Sequence, residues 1–320
     1  MKRPATSIGI RLIAAGVLIA GLSGCGLFGG PRFDPQTLPP NLKWVSVDGV
    51  PIVYQDVGRG DPILVLTPYP FGTELWDPLV QRLKGSFRLI VVEPPGLRDP
   101  DSMKGDFSTE HLMQIYRGFV LAIGVRRVHT LGVGESGMAA IIFGHHFPQY
   151  SSAVVSINGF ESLTWSRTVA KMVGYFDQAT VQGLTGLMSR ASIRHRVRPP
   201  TKQELRHLFV LPPAEEEKKG KESPIHARFA AYTHDIKSGY VTAMLPSVRQ
   251  PLLIIRSEKD DLLPQKYIDR TKEQVIFVKV RMEEVEGAGH LAFLDQPDAV
   301  ADLVTQFLSL YPISSAAPAS

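Results

Sequence analysis

Three residues with the chemistry of a proton relay stand far apart in a 320-residue chain: Ser136, Asp260 and His290. Ser136 lies in Gly134-Glu135-Ser136-Gly137-Met138, directly after the apolar run 128–133. Asp260 follows Leu252-Leu253-Ile254-Ile255, and His290 ends Gly287-Ala288-Gly289-His290. A serine hydroxyl is a weak nucleophile at neutral pH and needs a base beside it. His290 would take the Ser136 proton and return it to a leaving group, while Asp260 would hold the imidazole tautomer and stabilise the imidazolium. Such a relay performs nucleophilic acyl transfer. Asp261 adjoins Asp260 and competes with it for the acid. His145-His146 invites a metal reading, but adjacent helix positions do not share a face and no clustered carboxylate or cysteine set accompanies them. Neither metal nor cofactor is expected.

For residues so distant to meet, the segments between them must build one framework. Residues 44–47 and 51–57 alternate in polarity around Asp48-Gly49, which predicts a hairpin. The all-apolar run 63–66 and the mostly apolar runs 87–92, 128–133 and 153–157 suit strands buried on both faces of a parallel sheet. Helical spacing at 75–83, a helix capped by Ser108 and running to about residue 123, and the small-residue helix 138–144 separate them. Strands alternating with helices imply a helix-covered α/β sheet. From 160 to 249 the rhythm stops: helical pieces at 169–176, 181–188 and 202–209 are broken by Arg-Pro-Pro, Leu-Pro-Pro and the solvated run 215–222. Strand–helix alternation resumes at 252–255, 275–280 and 297–310, so 160–249 reads as an insertion between two halves of one sheet.

The start of the chain is not part of that sheet. Lys2, Arg3 and Arg11 accompany the apolar segment 12–22, which is too short to span a bilayer, a task needing roughly 18–20 residues, and reads as a secretory signal. Leu22-Ser23-Gly24-Cys25 resembles the lipobox of bacterial lipoproteins, which implies an acylated Cys25 as the first mature residue; it is the sole cysteine. Gly26 after it resembles sorting to an outer membrane, facing the periplasm. Residues 25–43 read as a tether and 313–320 as a flexible tail. Without 1–24, 32 basic residues face 31 acidic ones, a net +1, which argues against a nucleic-acid partner. Residues 160–249 hold 14 basic against 8 acidic residues. This is either an incidental solvated surface or a basic lid, including Arg190, Arg194, Arg196 and Arg198, that faces anionic lipid or substrate.

Taken together, the hairpin at Asp48-Gly49, the turn at Ser136, the stretch Ser257-Glu258-Lys259-Asp260-Asp261-Leu262-Leu263-Pro264 and Gly287-Ala288-Gly289-His290 make residues 44–311 resemble an α/β-hydrolase. The resemblance implies a mostly parallel core over 44–159 and 250–312, with a helical cap, 160–249, inserted after the sixth strand. It also implies Ser136 as nucleophile, His290 as base and Asp260, matched through Pro264, as acid. The oxyanion amides would belong to Tyr69 and Gly137. Two features depart from the family pattern: Thr67-Pro68 replaces His-Gly, so that Tyr69 must donate in place of a residue lacking N–H, and Met138 stands where the elbow has glycine. Tyr69, Phe71, Trp165 and Phe176 are candidate pocket walls. The implied activity is that of a serine hydrolase cleaving an ester, thioester or related acyl bond of a small or lipid-like substrate. Two alternatives stay open: an inactive scaffold binding a lipid or protein partner, and a C–C hydrolase or cofactor-free haloperoxidase using the same triad.

Overall fold

The computed structural model describes residues 33–159, 181–210 and 227–313, except 229, 232, 233, 236, 237, 264 and 279. Cys25, Trp165, Phe176 and Pro264 lie outside the described residues. Asp48 (φ 49°) and Gly49 (φ 86°) both adopt the left-handed conformation. A two-residue turn needs that geometry to follow strand twist, and it joins β1 (Lys43–Val47) to β2 (Val50–Gly58). β3 (Asp61–Leu66), β4 (Phe87–Val92), β5 (Val128–Val133), β6 (Ser151–Ile157), β7 (Leu252–Ser257) and β8 (Arg281–Val285) complete one eight-stranded sheet. Its order is β1-β2-β4-β3-β5-β6-β7-β8. β1 and β2 pair antiparallel to each other, and β2 antiparallel to β4. The pairings from β4 to β8 are parallel. The continuous apolar runs are the central strands: Ile63, Leu64, Leu66, Ile90, Leu131, Val155 and Ile255 are all buried.

Helices α1 (Asp77–Leu83), α2 (Thr109–Ala122) and α3 (Glu135–His146) connect these strands. Ser108 caps α2 by accepting the His111 N–H at 3.3 Å. Between β6 and β7 the described residues form α4 (Val181–Ala191), α5 (Ile193–Val197), α6 (Lys202–Leu208) and α7 (Tyr240–Met244). After β7 come α8 (Lys266–Gln274), α9 (Ala292–Asp295) and α10 (Pro297–Leu308). α1 packs on α10, and α2 on α3. No helix among the described residues is long and apolar enough to cross a membrane.

One strand falls elsewhere than expected. The apolar stretch 275–280 is not a strand; β8 is the charged segment that follows it, and Ile276 and Phe277 are exposed. Among the described residues β8 pairs only with β7. An edge strand of this kind tolerates polar side chains that a central strand cannot, so apolarity points to the wrong segment.

The site forms at the carboxyl edge of the sheet. β3 lies between β4 and β5, so the strand order reverses there, and open α/β sheets place their clefts at such a point.

Candidate active site

Asp260 and His290 meet beyond the ends of β7 and β8. His290 Nδ1 is 2.7 Å from Asp260 Oδ2, and the Asp260 side chain is fully buried. The other carboxylate oxygen accepts the N–H groups of Leu262 at 2.9 Å and Leu263 at 3.0 Å. These bonds fix the carboxylate, which in turn fixes the ring: with Nδ1–H donated to Asp260, Nε2 is left as the basic nitrogen. Asp261 points away, into an ion pair with Arg196 at 2.5 Å. The carboxylate facing the His290 imidazole is that of Asp260.

Ser136 does not join them. β5 ends at Val133 and α3 begins at Glu135, so Gly134 alone turns the chain, with φ 56° and ψ −121°. A residue with a side chain adopts such a conformation at a cost of about 1–3 kcal/mol. In the strand–turn–helix elbow of this fold the nucleophile occupies that strained apex. The packing gives the same frame: a Cβ on Gly132 would stand 2.1 Å from the Ser136 carbonyl oxygen. Gly132 and Ser136 are therefore the small residues flanking the elbow, and Gly134 is its apex. The Ser136 hydroxyl is buried beneath the turn. It has acceptors in Leu66 O at 2.8 Å and Val133 O at 3.0 Å, and it accepts the Val133 N–H at 3.0 Å.

This shift of two residues corrects three expectations. Ser136 is a structural serine holding β3 to the elbow. Met138 is not the small elbow position but a fully buried core residue of α3. Gly137 is not the residue after the apex; that is Glu135, whose amide heads α3, where helical N–H groups have no intrahelical acceptor. Gly137 faces the sheet instead, since a Cβ there would come within 2.9 Å of Ser156 Oγ and 3.2 Å of Ile157 O.

The His290 imidazole sits directly over the apex. A Cβ on Gly134 would stand 2.7 Å from His290 Nε2, closer than ordinary van der Waals contact. The imidazole thus occupies space that a nucleophile side chain would fill. The other oxyanion candidate, Tyr69, lies in the loop after β3 with its ring buried, and its hydroxyl donates to Pro95 O. Burial pushes the Tyr69 phenol above its ordinary value, so it stays protonated.

Residues between β6 and β7 are fastened to each of these parts. Gly72 N–H donates to Leu208 O at 2.9 Å and Val210 N–H to Pro70 O at 3.2 Å. Between those bonds the rings of Phe71 and Phe209 stack at 4.5 Å. Arg228, 1% exposed, donates Nε to Glu135 Oε1 at 3.0 Å and Nη1 to Phe107 O at 3.0 Å. Asp295 ties residues 192–194 to Gly289, beside His290.

Asn158 was not foreseen from the sequence. It follows β6 with φ 47° and is fully buried. Its Nδ2 donates to Ser257 Oγ and His290 O, both at 2.8 Å, and its Oδ1 accepts the Ser257 N–H at 3.0 Å. It fastens the His290 turn to the ends of two strands. An asparagine after an apolar strand was the available signal, since Asn tolerates positive φ better than most residues.

Two of the four basic-lid arginines are paired with carboxylates: Arg196 with Asp261 and Arg198 with Glu204. No group of three or more His, Cys, Asp or Glu side chains among the described residues could hold a metal ion.

A family model described as "Alpha/beta hydrolase family" matches residues 63–303. The human serine hydrolase BPHL is 24% identical over 268 residues, covering 81% of this chain and 84% of its own. An uncharacterised protein of Mycobacterium tuberculosis is 21% identical over 295 residues, covering 84% and 82%. Among solved structures, the meta-cleavage product hydrolase CumD of Pseudomonas fluorescens IP01 superposes with a TM-score of 0.67 at 16% identity, covering 84% of this chain and 97% of that one. A bacterial membrane phospholipase A gives 0.65 at 16% identity, covering 84% and 85%. Both likenesses are of fold.

Proposed function

The chain belongs to the alpha/beta hydrolase family, a family of enzymes, and from that premise we propose a hydrolase in which His290 acts as general base on water, with no acyl-enzyme on Ser136. The observation that carries this reading is the 2.7 Å between His290 Nε2 and the place of a Cβ on Gly134. The apex has no nucleophile, but the Asp260–His290 pair is intact. A water held between Nε2 and a substrate carbonyl gives its proton to His290, and the hydroxide attacks the carbonyl carbon. The Tyr69 and Glu135 amides would receive the developing oxyanion, the role that fixed backbone donors serve best. Collapse expels the leaving group, which takes the proton back from the imidazolium. Asp260 stabilises that cation without becoming protonated. Esters, thioesters and similar acyl bonds suit such a site because their leaving groups need little assistance.

The test uses a fluorophosphonate probe and p-nitrophenyl acetate on the mature protein. The probe leaves the wild type unlabelled; turnover persists in Ser136→Ala and falls to background in His290→Ala. Labelling of Ser136 would overturn this mechanism in favour of an acyl-enzyme. The same glycine also favours a second reading, a non-catalytic scaffold binding a lipid or protein partner. Absence of turnover in both wild type and His290→Ala across an ester and thioester panel would select it.

The remaining sequence signals fit an envelope protein. Leu22-Ser23-Gly24-Cys25 supports lipid attachment at Cys25 with 25–43 as tether, Gly26 supports anchoring at the outer membrane, and the broken strand–helix rhythm supports 160–249 as a cap. Incorporation of an alkynyl palmitate that Cys25→Ser abolishes would bear on this directly.

A further inference from the structure

His290 is held from three sides. Asp260 holds its ring, Asn158 holds its carbonyl, and the third hold comes from the segment between β6 and β7. Of the residues on either side of His290, Leu291 is bonded to that segment directly and Gly289 through Asp295. Leu291 N–H donates to Ala191 O at 2.7 Å. Gly289 N–H donates to Asp295 Oδ2 at 2.8 Å. The same Asp295 carboxylate accepts the Ser192 hydroxyl at 2.6 Å, Ile193 N–H at 2.9 Å and Arg194 N–H at 2.8 Å. Four donors from two segments about a hundred residues apart converge on one carboxylate, and charge-assisted bonds of this kind are short and directional. The fit is close as well: a Cβ on Gly289 would come within 3.0 Å of Ala191 O and 3.3 Å of Asp295 Oδ2.

We propose that Asp295 is a positioning residue that locks residues 191–194 to the His290 turn, so that the segment between β6 and β7 sets where the base stands over Gly134. This builds on the reading of His290 as the reactive group. Asp295 touches neither the imidazole nor Asp260 in any hydrogen bond among the described residues; it acts through the backbone of Gly289. With the carboxylate made an amide, one oxygen becomes an NH2 donor, so either Ser192 and Arg194 or Ile193 and Gly289 lose their acceptor, the charge is gone, and the turn relaxes away from the apex. A displacement of about 1 Å at a reacting group is enough to cost roughly a hundredfold in rate.

The test is Asp295→Asn in the mature protein, read in two ways. The first is the far-downfield proton resonance of the His290 Nδ1–H bond to Asp260, identified by its loss in His290→Ala. The second is kcat for p-nitrophenyl acetate. Asp298→Asn is the control: Asp298 lies on the same stretch but pairs with Arg82 at the surface. The expected result is a folded Asp295→Asn protein whose resonance is broadened or shifted and whose kcat falls by roughly tenfold to a hundredfold with KM little changed. Asp298→Asn should match the wild type. Should Asp295→Asn fail to fold, Ser192→Ala removes the 2.6 Å bond and the 3.4 Å cap that Ser192 Oγ gives His195 N–H, leaves the other three donors on Asp295, and should move both readouts in the same direction by less. An unmoved resonance in a folded Asp295→Asn or Ser192→Ala protein overturns the proposal, as does an equal change in Asp298→Asn. The resonance reports on the His290 turn even in a protein that hydrolyses nothing, so failure of the hydrolase reading and failure of this one are told apart.

Discussion

His290 Nε2 stands 2.7 Å from the point where Gly134 would carry a Cβ. The imidazole occupies the place that a side chain at the apex would take, and only glycine allows this. The apex conformation, φ 56° and ψ −121°, is unstrained for glycine alone. Both the geometry of the turn and the position of the ring therefore depend on one missing side chain.

Gly134→Ser is the direct probe of that relationship. The new Cβ forces the imidazole back, and the apex backbone becomes strained, so stability falls by about 1–3 kcal/mol, measured by urea unfolding. In return a hydroxyl is set beside Nε2. We expect the variant to react with a fluorophosphonate that leaves the wild type untouched, and Gly134→Ser/His290→Ala to lose that reactivity. Gly134→Ala should displace the ring with no new nucleophile and lower turnover.

The elbow also shows how far residue patterns carry. Asp260 and His290 were legible because each sits in a local pattern, an acid after an apolar strand and a histidine closing a glycine turn. The apex lies two residues before the serine that the motif points to, because the end of β5 at Val133 demands that the next residue make the turn. Gly132-Val133-Gly134-Glu135-Ser136 held the small-x-apex-x-small spacing all along. Asp295 and Arg228 were not legible at all, and Asn158 showed only as an asparagine after an apolar strand. Their roles are contacts with partners about a hundred residues away, such as Asn158 with Ser257, and no local spacing encodes those.

Asn158→Ala removes three hydrogen bonds from a fully buried position and leaves the His290 carbonyl and Ser257 amide without their partner. Orphaned buried groups cost about 1–3 kcal/mol each, so a loss of about 3 kcal/mol is expected in urea unfolding. Asn158→Asp should cost at least as much, since it keeps the acceptor for Ser257 N–H but sets a buried carboxylate oxygen against His290 O. Unfolding midpoints equal to wild type for both variants would remove Asn158 from the framework of the site.

His129 predicts the acid limit of the fold. It lies in β5, fully buried, with neither ring nitrogen partnered among the described residues. Burial pushes its pKa down to about 4, from an ordinary value of 6.5. The unfolded chain therefore binds a proton between pH 6.5 and 4 that the folded chain refuses. The contribution is fully present above pH 6.5 and is lost as pH falls towards 4, on the order of 3 kcal/mol in all. His129→Leu should flatten unfolding free energy against pH across that window, and an unchanged slope would assign the acid sensitivity elsewhere.

Arg228 and Glu135 give the last test, because their pairing joins the apex to residues beyond β6. The Arg228 side chain is 1% exposed and that of Glu135 10%, so neither charge has water to fall back on. Removing one partner of a buried pair costs about 3–5 kcal/mol, largely because the other charge is left unpaired. Arg228→Met should therefore destabilise strongly. Adding Glu135→Gln should recover part of the loss, since the carboxylate no longer needs a counter-charge. Their double-mutant cycle should give a coupling of about 2 kcal/mol or more. Glu135 supplies the amide next to the apex, so Arg228→Met should also depress turnover beyond what its residual stability explains, and the double variant should regain stability without regaining rate. Additive unfolding energies would mean that the two side chains meet without holding the elbow to the segment that carries Arg228.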